Sequence, residues 1–138
     1  MLGIVWLDMI FDMQAALASR GDGSKRDEAL STVAAYYRHA TSARMSYLIA
    51  VIMMATLASI ILQLIGDSAP NWVPWLSLIG AGGPIVLALT NTVPCAVKLG
   101  KAPADERAVL ARRVLRDHLI AIAGLTLALV LQLTCARS

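Results

Sequence analysis

Charged residues are scarce in this chain of 138 residues, at 15%, whereas 58% of the residues are hydrophobic. A soluble domain of this size could not bury so much apolar surface, so the composition indicates a membrane protein. The two cysteines exclude a disulfide framework, and we expect Cys95 and Cys135 to be apolar side chains near opposite membrane faces. The sequence also lacks a phosphate-binding glycine loop, an ordered Ser–His–Asp set and paired Glu-x-x-His motifs.

Four apolar stretches are long enough, or nearly so, to cross a bilayer. They cover residues 2–19, 45–65, 75–97 and 116–136. Two polar connections, residues 20–44 and 98–115, separate the first from the second and the third from the fourth. We therefore predict one domain, residues 1–138, folded as an all-α, antiparallel four-helix bundle in the membrane. A monomer and a homo-oligomer are both compatible with this unit.

The connections also contain the helix signals outside the spans. The first connection is expected to form a helix that continues directly into the second span. In the second connection, Pro103 followed by Asp105 and Glu106 predicts a helix start, because proline and acidic residues favour the first turn.

Basic residues are distributed unevenly along the chain. Eleven of the 12 Lys and Arg residues lie within residues 20–44 and 98–116, and the remaining one is Arg137. Because positively charged loops stay in the cytoplasm, both connections are predicted to be cytoplasmic and both termini to lie on the outer side. Anionic lipid accounts for this positive charge, so we expect membrane lipids and no nucleic acid as partners. The predicted location is the bacterial cytoplasmic (inner) membrane.

The third span contains several glycines and prolines. Pro84 and Pro94 each remove a backbone donor, and Gly80 and Gly83 would let a neighbouring helix approach closely. The pattern favours a kinked, closely packed helix over the alternative, a helix that bends to open a cavity.

Two acidic residues interrupt the first span. Asp8 and Asp12 are four residues apart, so they share one face of a helix. An ionised Asp at the centre of a membrane helix costs on the order of 2.5–3.5 kcal/mol, so the pair cannot face lipid. From the helical rise, both acids and Asn91 lie about 10–18 Å inside the cytoplasmic face, and His118 lies near its mouth. We predict a polar pocket lined by these four residues.

Three side chains of this pocket are predicted to be catalytic and to be candidate metal ligands: Asp8, Asp12 and His118. Oxygen and imidazole donors of this kind suit iron, manganese, zinc or copper. Asn91, Tyr36 and Tyr37 are the substrate-binding candidates. The alternatives are a structural role for the acids, helix–helix contact for Asn91 and an aromatic belt for the tyrosines.

Three short motifs resemble a known family. They are Tyr-Arg-His-Ala-Thr at residues 37–41, Asn-Thr-Val-Pro-Cys-Ala-Val-Lys-Leu at 91–99, and Arg-Asp-His at 116–118. Together they resemble the small four-helix membrane family that includes anthrone-oxygenase-like proteins. The resemblance implies a four-span fold and an oxygenase-type activity. Within the third motif, Asp117 is expected to pair with Arg113, four residues earlier on the same helix.

Two functions remain open from the sequence. The favoured one is a membrane oxidoreductase or oxygenase-like enzyme that acts on a lipophilic small molecule delivered from the bilayer. The alternative is an ion- or proton-coupled small transporter or channel subunit, in which the same acids alternate between protonated and cation-bound states. Four spans make a small transport pathway, so the alternative calls for a homo-oligomer.

Overall fold

The structure, a computed structural model, describes residues 2–18, 23–66 and 72–135. Within them the chain is helical and contains no strand, which confirms the all-α class. The helices are α1 (Leu2–Ala18), α2 (Gly23–Ala40), α3 (Ala43–Ile65), α4 (Trp72–Leu87), α5 (Val93–Leu99) and α6 (Ala104–Cys135). A π-helical turn, Ala88–Thr92, joins α4 to α5, so the three form one continuous helical segment, Trp72–Leu99.

Three helical segments in the described part are long and apolar enough to cross a membrane. They are Ala43–Ile65, Trp72–Leu99 and Ala104–Thr134. The protein therefore has the character of a membrane protein. Helix α1 has 17 residues and is about 26 Å long, slightly less than a hydrocarbon core of about 30 Å. The fourth span and the outward orientation of the termini stay predictions.

The outer surface of α1 shows how the fold suits a lipid environment. Five large apolar side chains are exposed along this helix: Trp6, Leu7, Ile10, Met13 and Leu17. The opposite side of the helix buries Met9 and Asp12. Apolar residues outside and an acid inside reverse the arrangement of a soluble helix, and this reversal is stable only where lipid replaces water.

The chain breaks between α2 and α3, so the predicted continuous helix from the first connection into the second span is wrong. Ser42 has φ −63° and ψ 153°, which is extended backbone. Thr41 Oγ1 donates to the Tyr37 carbonyl at 2.6 Å, which completes the last turn of α2. Because Ser42 leaves the helical conformation, α2 is free to pack against α1, α5 and α6.

Helix α6 begins where the sequence predicts. It follows Pro103, and Asp105 and Glu106 lie in its first turn. With 32 residues the helix is about 48 Å long, so it extends well beyond a bilayer core. Its length allows α6 to pack against both the spanning helices and α2.

Two hydrophobic clusters form the core of the described residues. The first joins α2, α5 and the first half of α6 through Leu30, Val33, Tyr37, Cys95, Ala96, Leu99, Ala108, Ala111 and Val114. The second joins α3, α4 and the second half of α6 through Ile60, Ala81, Leu125 and Ala128. The predicted burial of Cys95 is confirmed, whereas the side chain of Cys135 lies outside the described part. Helix α1 packs Val5 on the second cluster and Asp12 on Tyr37 of the first, so its acids lie between the two.

Helices α4 and α6 cross at a pair of glycines. A Cβ atom on Gly124 would lie 2.6 Å from the Gly80 carbonyl oxygen, and a Cβ atom on Gly80 would lie 2.9 Å from the Gly124 carbonyl oxygen. Pro84 has no N–H to offer the Gly80 carbonyl, so this oxygen can face the neighbouring helix. The close packing predicted for Gly80 is present, whereas a Cβ atom on Gly83 would meet nothing within 4 Å.

The spanning helices and α1 form a ring that is open on one side. Helix α6 packs against both α1 and α4, and α4 also packs against α3. In the described residues, α1 and α3 do not pack against each other. Apolar side chains of both helices, including Ile4, Val5, Ile49 and Met53, line the cavity described below.

Candidate functional site

Asp12 lies at the centre of a hydrogen-bonded group that joins three helices. Its Oδ2 atom is 2.6 Å from Nδ1 of His118 on α6, and its Oδ1 atom accepts a hydrogen bond from the Tyr37 hydroxyl on α2 at 2.6 Å. Asp12 is only 1% exposed. A buried carboxylate is tolerated only when its oxygens have partners, and here each oxygen has one.

Asp8 lies one helical turn before Asp12 and has a different partner. Its Oδ1 atom accepts a hydrogen bond from the Tyr36 hydroxyl. The Tyr36 ring stacks on Phe11 of α1, with centroids 4.4 Å apart and an interplanar angle of 14°. Consecutive tyrosines on α2 therefore contact the two acids of α1, which the sequence presents on one face.

Asp117 forms a second group between α6 and the π turn. Its Oδ2 atom accepts hydrogen bonds from Asn91 Nδ2 at 2.5 Å and from Thr92 Oγ1 at 3.2 Å. Its Oδ1 atom lies 3.2 Å from Arg116 Nη2. Asp117 is 1% exposed, so it fixes the π turn to α6 from inside the bundle.

The structure places the predicted pocket residues in these two groups. It brings Asp8, Asp12, Tyr36, Tyr37 and His118 together, and it places Asn91 on Asp117 instead. The ion pair of Asp117 is with Arg116 rather than with the predicted Arg113. Asp117 and Thr92 were not predicted as site residues, although an acid next to His118 at the membrane entry was a signal for the first.

A cavity of about 200 Å³ lies beside both groups. Seven polar residues contribute to its wall: Asp8, Tyr37, Thr41, Ser46, Thr92, Asp117 and His118. Most of the remaining wall is apolar and comes from α1, α3, α4 and the π turn, including Ile4, Val5, Ile49, Ile52, Met53 and Leu89. The irregular part of the third span thus lines a cavity, as in the alternative that the sequence disfavoured. An apolar chamber with a few convergent polar groups is typical of a small-molecule site.

The tyrosines of α2, which lies outside the spanning segments, are held in their neutral form. Burial raises the pKa of Tyr37 far above its usual value of 10.0, and the neighbouring Asp12 carboxylate raises it further. Burial likewise raises the pKa of Tyr36, with an added contribution from its hydrogen bond to Asp8. Both hydroxyls therefore act as hydrogen-bond donors to the acids of α1.

The donor set does not fit the metal site predicted from Asp8, Asp12 and His118. Among the described residues, no group of three or more His, Cys, Asp and Glu side chains is arranged to hold a metal ion. Both oxygens of Asp12 and Nδ1 of His118 are already engaged in hydrogen bonds, and Tyr36 occupies Oδ1 of Asp8. In this arrangement the three side chains therefore do not form a metal site.

No family model, curated protein or solved structure matches the chain. The resemblance to anthrone-oxygenase-like proteins therefore stays a prediction.

Proposed function

We propose that the protein is a membrane enzyme that binds a lipophilic small molecule in the cavity and removes a proton from its polar group. The Asp12–His118 pair is the observation on which the proposal rests. The His118 ring lines the cavity while its Nδ1 atom faces Asp12, and its Nε2 atom has no hydrogen-bond partner in the described residues.

The hydrogen bonds favour one tautomer of His118. One oxygen of Asp12 accepts a hydrogen bond from the Tyr37 hydroxyl, and its other oxygen is available to accept a hydrogen bond from the Nδ1 proton of His118. With the proton on Nδ1, the lone pair is on Nε2, where it can accept a proton from a molecule in the cavity. The imidazolium that forms is stabilised by the Asp12 carboxylate. His118 is the general base in this scheme, and Asp12 orients it.

Proton removal prepares a substrate for oxidation. A phenol, enol or activated C–H group that has lost its proton is an electron-rich anion, which is oxidised more readily than the neutral molecule. With dioxygen as the oxidant, one oxygen atom replaces the two hydrogen atoms of an activated CH2 group to form a carbonyl, and the other oxygen atom leaves with those hydrogens as water. This reaction belongs to the oxidoreductase or oxygenase-like class that the sequence motifs suggest. Tyr37 and Asp8 line the polar end of the cavity, where the reacting group would lie.

The membrane supplies the substrate in this proposal. The ring of helices is open between α1 and α3, and the walls on both sides of the opening are apolar. A lipophilic molecule dissolved in the bilayer can reach the cavity without crossing water. The distribution of basic residues supports a location of the cavity in the cytoplasmic half of the membrane, which we propose to be a bacterial inner membrane.

Turnover by the purified protein in nanodiscs tests the proposal. Anthrone is the probe, and oxygen uptake and product formation are followed together. We expect His118→Gln to lower the rate about 100-fold or more, because a general base typically contributes that much. Asp27→Asn is the control, since Asp27 is exposed on α2, and it should leave the rate unchanged. No turnover in the wild type, or full turnover in His118→Gln, would contradict the proposal.

The π turn favours a second candidate, an ion- or proton-coupled transporter. Ala88, Leu89 and Thr92 of this interrupted segment line the cavity, and interrupted helices commonly line transport pathways. A transporter, assembled as a homo-oligomer, would move a solute across proteoliposomes with no product formed. Asp8→Asn or Asp12→Asn would abolish that flux. Solute flux in proteoliposomes, together with no turnover by the detergent-solubilised protein, would favour transport over catalysis.

A further inference from the structure

The three acids around the cavity differ in the charge of their partners. Asp117 lies 3.2 Å from the Arg116 guanidinium, and Asp12 lies 2.6 Å from an imidazole that can carry a proton. Among the described residues, Asp8 has a hydrogen bond only with a neutral hydroxyl, that of Tyr36. A partly buried carboxylate without a cationic partner must either hold a proton or attract a positive charge from outside the protein.

The wall of the cavity reinforces this imbalance. The described residues that form it include two carboxyl side chains, Asp8 and Asp117, and one imidazole, but no Lys or Arg. Arg116 compensates Asp117 from an exposed position outside the cavity wall. A head group that arrives with a negative charge would therefore meet repulsion, whereas one that arrives with a positive charge would meet attraction. An anion formed by proton transfer to His118 is a different case, because it is paired with the imidazolium that forms in the same step.

A second observation indicates that the polar end is built to contact a ligand. His118 is 8% exposed, and its exposed edge belongs to the cavity wall. Its Nε2 atom makes no hydrogen bond to a described residue, and no fully buried side-chain nitrogen in the described part lacks a partner, so Nε2 lies at the accessible edge of the ring.

We propose that the cavity binds lipophilic organic cations, with the positively charged head beside Asp8 and the apolar part between α1 and α3. The apolar walls hold the hydrocarbon portion, and Asp8 is the counter-ion. This inference rests on the proposed function only in placing a lipophilic molecule in the same cavity, and it requires no turnover. Such cations would compete with any substrate of the enzyme.

The charge of the bound cation replaces that of a proton on Asp8. The affinity for a permanent cation should therefore increase with pH as Asp8 ionises. The titratable groups that face Asp8 come from α1, α2 and α6: Asp12, Tyr36, Tyr37, Asp117 and His118. Helix α3 and the segment of α4, α5 and the π turn contribute only uncharged groups to the wall, including Ser46 and Thr92.

Calorimetric titration of the full chain in phosphatidylcholine nanodiscs tests the inference. The probes share one alkyl chain and differ in the head group: octyltrimethylammonium, octanol and octanoate. Empty nanodiscs provide the baseline for partitioning into lipid. We expect the ammonium to bind at least about tenfold more tightly than the carboxylate, a difference of one decade in Kd. Asp8→Asn should remove this preference while its amide oxygen still accepts the Tyr36 hydrogen bond, and Asp27→Asn should retain it.

The outcomes separate this inference from the proposed function. Equal binding of all three probes, or tighter binding of octanoate, overturns the cation inference and leaves a general lipophilic cavity intact. Absence of binding by every probe overturns both. If Asp8→Asn does not fold, the wild type decides the question, because weaker octyltrimethylammonium binding at lower pH is expected and a pH-independent affinity contradicts the inference.

Discussion

Asp12 and His118 are 106 residues apart in the sequence and 2.6 Å apart in the structure, oxygen to nitrogen. Their contact joins the first and last helices of the described chain at the point where the two hydrophobic clusters meet. Because Tyr37 completes the group from α2, its geometry depends on the packing of three separate helices. The site is therefore a product of the tertiary fold rather than of any local motif.

The glycine crossing predicts a position-specific loss of stability. Gly124→Ala places a methyl group 2.6 Å from the Gly80 carbonyl oxygen, so the backbones of α4 and α6 must separate. We expect a loss of about 1–3 kcal/mol, the usual cost of overpacking. Gly83→Ala is the matched control, because its methyl group meets nothing and alanine favours a helix. Thermal unfolding in detergent measures both, and equal stability of the two variants would contradict the packing.

A glutamine pair predicts how α3 is held in place. Gln132 Nε2 on α6 donates to Gln63 Oε1 on α3 at 2.8 Å and to Ser77 Oγ on α4 at 3.0 Å. Gln132→Leu removes both hydrogen bonds, and we expect it to cost about 1–2 kcal/mol. Ser59→Ala is the control, since that hydroxyl is bonded only to the Ala55 carbonyl within its own helix. Equal stability of the two variants in unfolding experiments would contradict a stabilising role for the hydrogen bonds of Gln132.

The tyrosines of α2 predict a loss of stability at alkaline pH. The pKa values of Tyr36 and Tyr37 in the folded protein lie above 10.0, the value of an unperturbed tyrosine, because Tyr37 is buried, Tyr36 is half-buried and both lie beside acids. The folded state therefore retains protons that the unfolded chain loses above pH 10. Their stabilising contribution is complete below pH 10 and decreases as the pH rises further.

Tyrosinate absorbance measures this effect in a Tyr47→Phe background, which removes the third tyrosine of the chain. We expect the absorbance to rise only together with unfolding. Tyr37→Phe should reduce the alkaline loss of stability. A rise near pH 10 in a protein that remains folded would contradict the buried hydrogen bonds.

The topology prediction is tested by thiol labelling in intact cells. A cysteine at residue 69, in the short link between α3 and α4, should react with a membrane-impermeant reagent. A cysteine replacing Lys101, exposed between α5 and α6, should react only after the membrane is opened. A C-terminal reporter should be active on the outer side. A cytoplasmic C terminus would contradict the predicted orientation.

The sequence predicts those parts of the site that follow from helix periodicity. The four-residue spacing of Asp8 and Asp12 requires a common face, and the cost of acids in lipid requires that this face point inward. Both are found in the structure, together with the contact to His118. The hydrogen bonds from Tyr36 and Tyr37 do not follow from helix periodicity. They depend on which face of α2 meets α1, and the chain direction between the two helices decides this.

The environment of Asp117 could not be derived from spacing. A helical i, i+4 rule points to Arg113, whereas the observed partners Asn91 and Thr92 come from another segment. They lie on a π turn, whose extra residue per turn changes the direction of the side chains. The gap between α1 and α3 is equally inaccessible to sequence reasoning, since hydropathy identifies spans but not which of them are neighbours.

Nitrogen-15 NMR of the histidines measures directly which ring nitrogen of His118 carries the proton, and therefore whether this side chain can act as the proposed base. The chain has only two histidines, and His39, exposed at the end of α2, is assigned by His39→Gln. In nanodiscs without ligand, we expect His118 to carry its proton on Nδ1. When anthrone is added under anaerobic conditions, we expect Nε2 to become protonated as well. In Asp12→Asn the preference for the Nδ1 tautomer should weaken. A His118 signal that shows the proton on Nε2, or that does not change with anthrone, would contradict a role for this side chain as the base.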